Sequence, residues 1–211
     1  MPRTESSLAI RFLRAPCALA LPLLLAGCVG GGAKHSPPVE LRDATGFTIT
    51  ETTRISASAR SDFEAARHAL DAGDTTRAVE LLQQLTSATP ELTAAWINLG
   101  IALARQDQLA PAEAAFSKAL EQNPSHPVAQ NELAIVKRRT GHFAESRKLL
   151  ESALASHPEF HPARKNLAIL CDLYLADARC ALEQYELYLA AVPGDEKAAM
   201  WIADLKNRIG G

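Results

Sequence analysis

Residues able to do chemistry are few in this chain, and their spacing points away from catalysis. It has no Gly-x-Ser-x-Gly elbow, no His-Glu-x-x-His pair and no glycine-rich loop between a strand and a helix. Nucleophilic, zinc-hydrolytic and phosphate-cradling chemistry therefore lack their usual frames. Gly30, Gly31 and Gly32 precede no strand–helix unit and read as linker. His157 and His161 are four residues apart, a spacing at which two imidazoles on a helix can share a metal. Pro158 and Pro162 interrupt that helix, however, and no third ligand is near. With His126 in a similar turn, these read as ordinary solvated histidines, so no metal and no cofactor is expected. What remains is four thiols, Cys17, Cys28, Cys171 and Cys180. Their chemistry depends on compartment and on the elements that hold them.

The N-terminus speaks to compartment. Arg3, Arg11 and Arg14 give a positive start, and Ala15 to Ala26 is a short run rich in Leu and Ala. It is too short to span a bilayer, which takes about 20 apolar residues, and has the flanks of a cleavable secretory signal. No later stretch is long and apolar enough to span. The run ends in Leu25-Ala26-Gly27-Cys28, which resembles the bacterial lipobox at all four positions. The resemblance implies that residues 1–27 are removed and that Cys28, now the first residue, carries the lipid on its thiol and an acylated amino group. Several acyl chains hold a protein on a membrane where a single one does not. An ordinary signal with an incidental Cys is the alternative. Val29 rather than Asp follows the Cys, which by the sorting rule of such lipoproteins implies the outer membrane, facing the periplasm.

Loss of residues 1–27 removes three basic residues and one acid from a chain holding 22 and 24, leaving a net charge of −4. Nucleic-acid binding would call for a basic face, and none is indicated. Residues 28–58 then read as a lipidated Cys and a flexible or extended tether, with the three glycines flexible and Pro37-Pro38 stiff. Phe47, Ile49 and Ile55 sit at odd positions among threonines. That alternation is strand-like, yet no other segment offers a partner strand. Two readings stay open: an arm lying on the first helices, and an edge awaiting a partner protein.

The elements that must position everything else are repeats. Pro90, Pro124 and Pro158 are 34 residues apart, and Pro193 follows after 35. The clearest copy, Thr93 to His126, carries Trp96, Leu99, Gly100, Ala112, Phe116, Ala119 and Pro124. It resembles the tetratricopeptide repeat at seven of eight signature positions, with Leu103 where Tyr is usual. Looser copies span 59–92, 127–160 and 161–194, the last with one residue inserted before Ala181. Residues 195–209 read as a lone capping helix, which an open solenoid needs to stay soluble. Gly73 and Gly141 fall in turns where a positive φ ends a helix. Trp96, Leu99 and Phe116 are expected in the core. The resemblance implies an all-α fold, a right-handed superhelix of four helix pairs and a C-terminal capping helix over residues 59–211.

Placed on these elements, Cys171 falls near the end of the first helix of the fourth pair and Cys180 near the start of the second. A helical hairpin can bring them together, and an oxidising periplasm favours a disulfide. Two buried thiols are the alternative. In the family this chain resembles, a peptide or helix lies in a concave groove lined by the first helix of every pair. By repeat position the lining is Arg67, Asn98, Ile101, Arg105, Asn131, Ile135, Arg138, Arg139, Lys165, Asn166 and Ile169. Ile101, Ile135 and Ile169 recur every 34 residues and should align into an apolar stripe. Amides beside it suit a ligand backbone and cations suit carboxylates. Phe63, Val128 and Glu132 stand where the chaperone-tail receptors of the family are basic or amide-bearing, which argues against that subgroup. The sequence therefore describes a membrane-anchored scaffold that binds protein segments, with no enzymatic activity, no nucleic acid and no small-molecule substrate. The resemblance implies service in an envelope assembly, secretion or energy-transduction complex; a regulatory or carrier subunit of a cell-wall enzyme is the second reading. Protein extracted from membranes should lack residues 1–27 and carry the mass of acyl chains on Cys28. Cys28→Ser should leave it unprocessed or soluble, and wild-type outer-membrane fractionation of that variant would exclude the anchor.

Overall fold

A computed structural model describes residues 53–210, together with the backbone of three short strands before them. Cys28 lies outside the described residues, as does most of the signal and tether. The strands are β1 (Ile10–Arg11), β2 (Val39–Arg42) and β3 (Thr48–Glu51). They form one antiparallel sheet in that order, with Leu41 opposite Ile49. Thus the segment for which no partner strand was expected has one. Val39-Glu40-Leu41-Arg42 alternates apolar and polar as a strand does, a signal hidden behind Pro37-Pro38 in what reads as linker.

Nine helices follow among the described residues. They are α1 (Ala57–Asp71), α2 (Thr75–Ala88), α3 (Thr93–Arg105), α4 (Leu109–Gln122), α5 (Pro127–Arg139), α6 (Phe143–Ser156), α7 (His161–Leu173), α8 (Ala178–Ala191) and α9 (Glu196–Gly210). Each odd helix packs mainly on the even helix after it, and α9 packs on α8 without a partner of its own. This is the expected four pairs and a cap. The first helix starts at Ala57, two residues earlier than the repeat register places it, because the Ser56 hydroxyl caps it by accepting from the Ala59 N–H at 3.1 Å. Asp74, Asp177 and Asp195 cap α2, α8 and α9 in the same way, each accepting a backbone N–H three residues on.

Two helices of a pair can close only where both carry small residues. Ala66 meets this need with Ala78, Gly100 with Ala112, Ala134 with Ser146 and Ala168 with Ala181, all buried. Ser146 satisfies its hydroxyl in that dry seam by donating to the Ala134 carbonyl at 2.8 Å. The seam is tightest at Gly100, where an added Cβ would stand 2.5 Å from the Phe116 ring. Leu99 and Phe116 are buried as expected. Trp96 is only half-buried: it lies against the core at a helix edge and donates its indole N–H to the Pro90 carbonyl at 2.8 Å.

The turns inside the pairs share one conformation. Gly73 and Gly141 have φ of +79° and +82°, as expected, and Asp107 and Ala176 occupy the matching turns at +64° and +53°. An Asp tolerates this region and an Ala does so only at a cost. The turns between pairs share another feature, an inward plug. Leu92, His126 and Phe160 hold equivalent places and are all fully buried. His126 is therefore not a solvated turn histidine. It fills an apolar position and uses its Nδ1 to accept from the Ala129 N–H at 3.4 Å. His157 and His161 are half-buried, each with its Nδ1 enclosed. Burial, reinforced by the nearby His157, lowers the His126 pKa to about 4.

Two measurements test this packing. Glycine swaps should act with opposite signs. Gly100→Ala should destabilise by about 1–3 kcal/mol through overpacking against Phe116. Ala176→Gly should stabilise by roughly 0.5–1 kcal/mol, strain relief outweighing the added chain entropy. Calorimetric midpoints moving together would contradict the seam or the turn. His126 is a base whose folded pKa lies below its unfolded value near 6.5, so its neutral form is favoured on folding. Stability is full above that value and falls as the pH drops towards 4, by about 3 kcal/mol over the interval. In urea titrations, His126→Leu should abolish that part of the acid sensitivity.

Candidate partner-binding groove

The odd helices touch one another in sequence, α1 to α3, α3 to α5 and α5 to α7, more closely than the even helices do. A stack closer on one side curves towards that side, so the odd helices line the inside. Ile101, Ile135 and Ile169 stand at one position on three successive lining helices; Ile101 is buried and the other two are half-buried.

The expected cations have other occupations. Arg67 donates to Glu64 and Asp71 on its own helix at 2.9 and 3.0 Å. Arg105 donates to the Leu70 carbonyl at 2.9 Å, and Arg139, one repeat on, donates to the Ala104 carbonyl at 3.0 Å and pairs with Asp107. Both guanidinium groups therefore cap the C-terminus of the preceding lining helix, where carbonyls are unsatisfied and a positive charge suits the helix dipole. Arg208 makes the analogous reach from α9 to the Asp172 carboxylate. These arginines lock neighbouring pairs together. Arg138 is half-buried and lies 5.6 Å over the Tyr174 ring, and desolvation lowers its pKa.

The amides divide. Asn131 and Asn166 bridge the third and fourth pairs, Asn166 donating to the Asn131 Oδ1 at 2.8 Å, while Asn131 also donates to Glu132. Asn98 is buried, and neither its Nδ2 nor its Oδ1 has a hydrogen-bond partner among the described residues. An enclosed amide left this way costs on the order of 1–3 kcal/mol.

At the C-terminal end the groove is aromatic. Lys165 binds Asp195 at 2.6 Å and lies 5.1 and 5.8 Å over the rings of Tyr188 and Trp201. Burial alone would raise the Asp195 carboxyl, but Lys165, the Ala198 N–H and the Tyr188 hydroxyl together hold it below its ordinary value. Burial and the neighbouring Asp195 push the Tyr188 hydroxyl up. Met200, on α9 next to Trp201, is exposed, as are Leu173 and Tyr174 at the other end of α7, where Tyr174 meets Phe143 with ring centroids 5.1 Å apart. The repeat register omitted these aromatic residues because the fourth pair carries an insertion and α9 departs from the pattern; the bare composition of α9, with Met200 and Trp201 adjacent, was the available signal.

Cys171 and Cys180 are joined, with Cα atoms 5.9 Å apart, fastening the end of α7 to the start of α8. The Asp177 carboxylate lies within 4.8 Å of both sulfurs, but sulfurs bound to each other are not thiolate ligands.

Two profiles described as tetratricopeptide repeat match residues 63–127 and 109–168, together about half of the chain. A curated relative, "Cellulose synthase operon protein C" of Komagataeibacter xylinus, is 33% identical over 125 residues, half of this chain; the chain spans only 10% of that protein. Among solved structures, pilF of Pseudomonas aeruginosa superposes with a TM-score of 0.66 at 19% identity, over 72% of this chain and 68% of that one. MamA from Desulfovibrio magneticus RS-1 does so with 0.64 at 19% identity, over 74% and 87%. A thermophilic repeat protein of Thermus thermophilus, TTC0263, gives 0.59 at 25% identity, over 66% and 77%. The repeats read from proline spacing, the four small-residue seams and these matches agree that the chain belongs to the tetratricopeptide repeat family.

Proposed function

We propose that this chain is a scaffold of the bacterial envelope, lipid-anchored at Cys28 in the outer membrane and facing the periplasm, whose concave groove holds a segment of another protein. The observation that carries the proposal is the stripe of Ile101, Ile135 and Ile169 leading to exposed Leu173, Tyr174 and Met200. Apolar side chains gathered on a curved, rigid face mark a protein-binding surface. Because Arg67, Arg105, Arg139 and Lys165 are committed to internal acids and carbonyls, recognition rests on apolar contact more than on acidic groups of the ligand. No catalytic step is assigned to any residue. Assembly, secretion and energy-transduction machines of the envelope all use proteins of this architecture as holders of components.

A second reading has an observation of its own. The relative named for a cellulose synthase operon favours an accessory role beside an envelope polysaccharide enzyme, in which the same groove holds a synthase or export component. The two readings differ in what is captured. Crosslinking in membranes followed by mass spectrometry should recover transport or assembly proteins under the first, and glycan-synthesising proteins under the second. In either case Ile135→Asp and Met200→Asp should each keep normal helicity by circular dichroism while weakening capture by about tenfold or more, as loss of a central apolar contact does. Undiminished capture by both variants would move the binding surface off this face.

A further inference from the structure

Arg67, Arg105, Arg139 and Lys165 spend their donors on internal acids and carbonyls. Arg138, also on a lining helix, does not. Among the described residues it makes no ion pair and donates no hydrogen bond; its close partner is the Tyr174 ring, 5.6 Å from the guanidinium carbon. An aromatic face attracts a cation but offers no lone pair to its N–H groups. Glu132, whose charge reaches Arg138, does not bond it and accepts instead from the Asn131 amide at 3.0 Å. Arg138 is half-buried, and desolvation without a compensating acceptor lowers its pKa. Its nitrogens are not among the enclosed polar atoms that lack a partner, so they face solvent. A guanidinium that is partly dry, short of an acceptor and still within reach is well prepared for a carboxylate, which it grips through two parallel hydrogen bonds.

The surroundings say what carries the carboxylate. Arg138 follows Ile135 by three residues, close to one turn of α5. Ile169 holds the place of Ile135 on α7, the lining helix that touches α5, and both isoleucines are half-buried. Tyr174 is the C-cap of α7. Its ring lies against Phe143 with centroids 5.1 Å apart, and Leu173 beside it is exposed. The cation is therefore set among apolar side chains of two neighbouring helices. The lining continues in both directions, through α3 before α5 and α7 after it, so a segment that crosses Arg138 runs on past it. Its acid is then a side chain in mid-segment and not a chain end. That also separates the site from the chaperone-tail receptors, whose positions are held here by Phe63, Val128 and Glu132. Adjacent helices lie about 9 Å apart, a distance that an extended chain covers in about three residues.

We propose that Arg138, seated on Tyr174, receives one Asp or Glu side chain of the bound segment, and that this acid stands between two apolar residues, about three positions apart, that meet Ile135 and Ile169. This rests on the reading of the inner face as the partner surface and adds to it the polar group that the partner brings.

Selection from random nonapeptides displayed between fixed flanks, so that no chain end is free, tests this on the full chain extracted in detergent and immobilised. Bound sequences should carry Asp or Glu at one position between two apolar ones. Arg138→Gln should select the same apolar pair without the acid, and Arg138→Glu should select Lys or Arg in its place. Arg138→Lys keeps the charge without the planar fork and should retain the acid at lower affinity, which a purely structural role of the stacked arginine does not predict. A selected peptide and its amide form, Asp→Asn or Glu→Gln, should differ in Kd by at least about tenfold on the parent chain and by less than about twofold on Arg138→Gln. Circular dichroism melts should match among the variants. An apolar pair without an acid on the parent, which needs no variant to fold, would overturn the proposal and leave the groove reading standing. An acid that persists on Arg138→Gln would do the same. An acid preference seen only when the library is displayed with free C-termini would overturn it too, because the carboxylate would be a chain end. Absence of any apolar selection on the parent would instead remove the groove reading, and this proposal with it.

Discussion

The structure depends on one constraint: two helices must meet along a line of small residues every 34 positions. Where Ala66, Gly100, Ala134 and Ala168 on the odd helices face Ala78, Ala112, Ser146 and Ala181 on the even ones, all buried, backbones approach closely enough for Phe116 to lie directly over Gly100. Close approach within a pair fixes the tilt of the pair. Equal tilts stack with a constant rotation, and constant rotation produces a curved array with one inner face. The groove follows from the seam. The arginines placed along it by repeat position serve the same end, since Arg105 and Arg139 tie each lining helix to the end of the one before.

The sequence is legible where a residue's type and its structural task coincide. Proline spacing gives the repeat, and Gly73 and Gly141 give two turns. Legibility fails where one task is done by another residue type. Asp107 and Ala176 adopt the same left-handed turn without being glycine. His126 does the work of Leu92 and Phe160, so its ring chemistry misleads: an imidazole in a turn reads as solvated, and only the register shows that the turn points inward. Of the groove residues, the isoleucines align by period alone and are readable. The cations are not, because a long side chain on a helix end reaches backward to a carbonyl as readily as outward to a ligand, and sequence spacing does not distinguish the two. The β2–β3 ribbon is too short to stand out from a Pro- and Gly-rich tether.

The groove has polarity. Its middle lining helices, α3 and α5, are the most buried, and α7 and the cap present Leu173, Tyr174 and Met200. An apolar end open to solvent beside a buried stripe provides a place for first contact and a longer surface for subsequent contact. The disulfide and the Lys165–Asp195–Tyr188 cluster fasten that open end.

The central claim is that the inner face, and not the outer, is where another protein docks. A photo-crosslinking amino acid placed singly at Leu173 or Met200, in the groove, and at Lys118 or Lys148, on the exposed side of the even helices α4 and α6, tests it in living cells without altering the packed seam. The account predicts a protein adduct of discrete mass from Leu173 and Met200 and none from Lys118 or Lys148. Adducts from the lysine positions alone would contradict it.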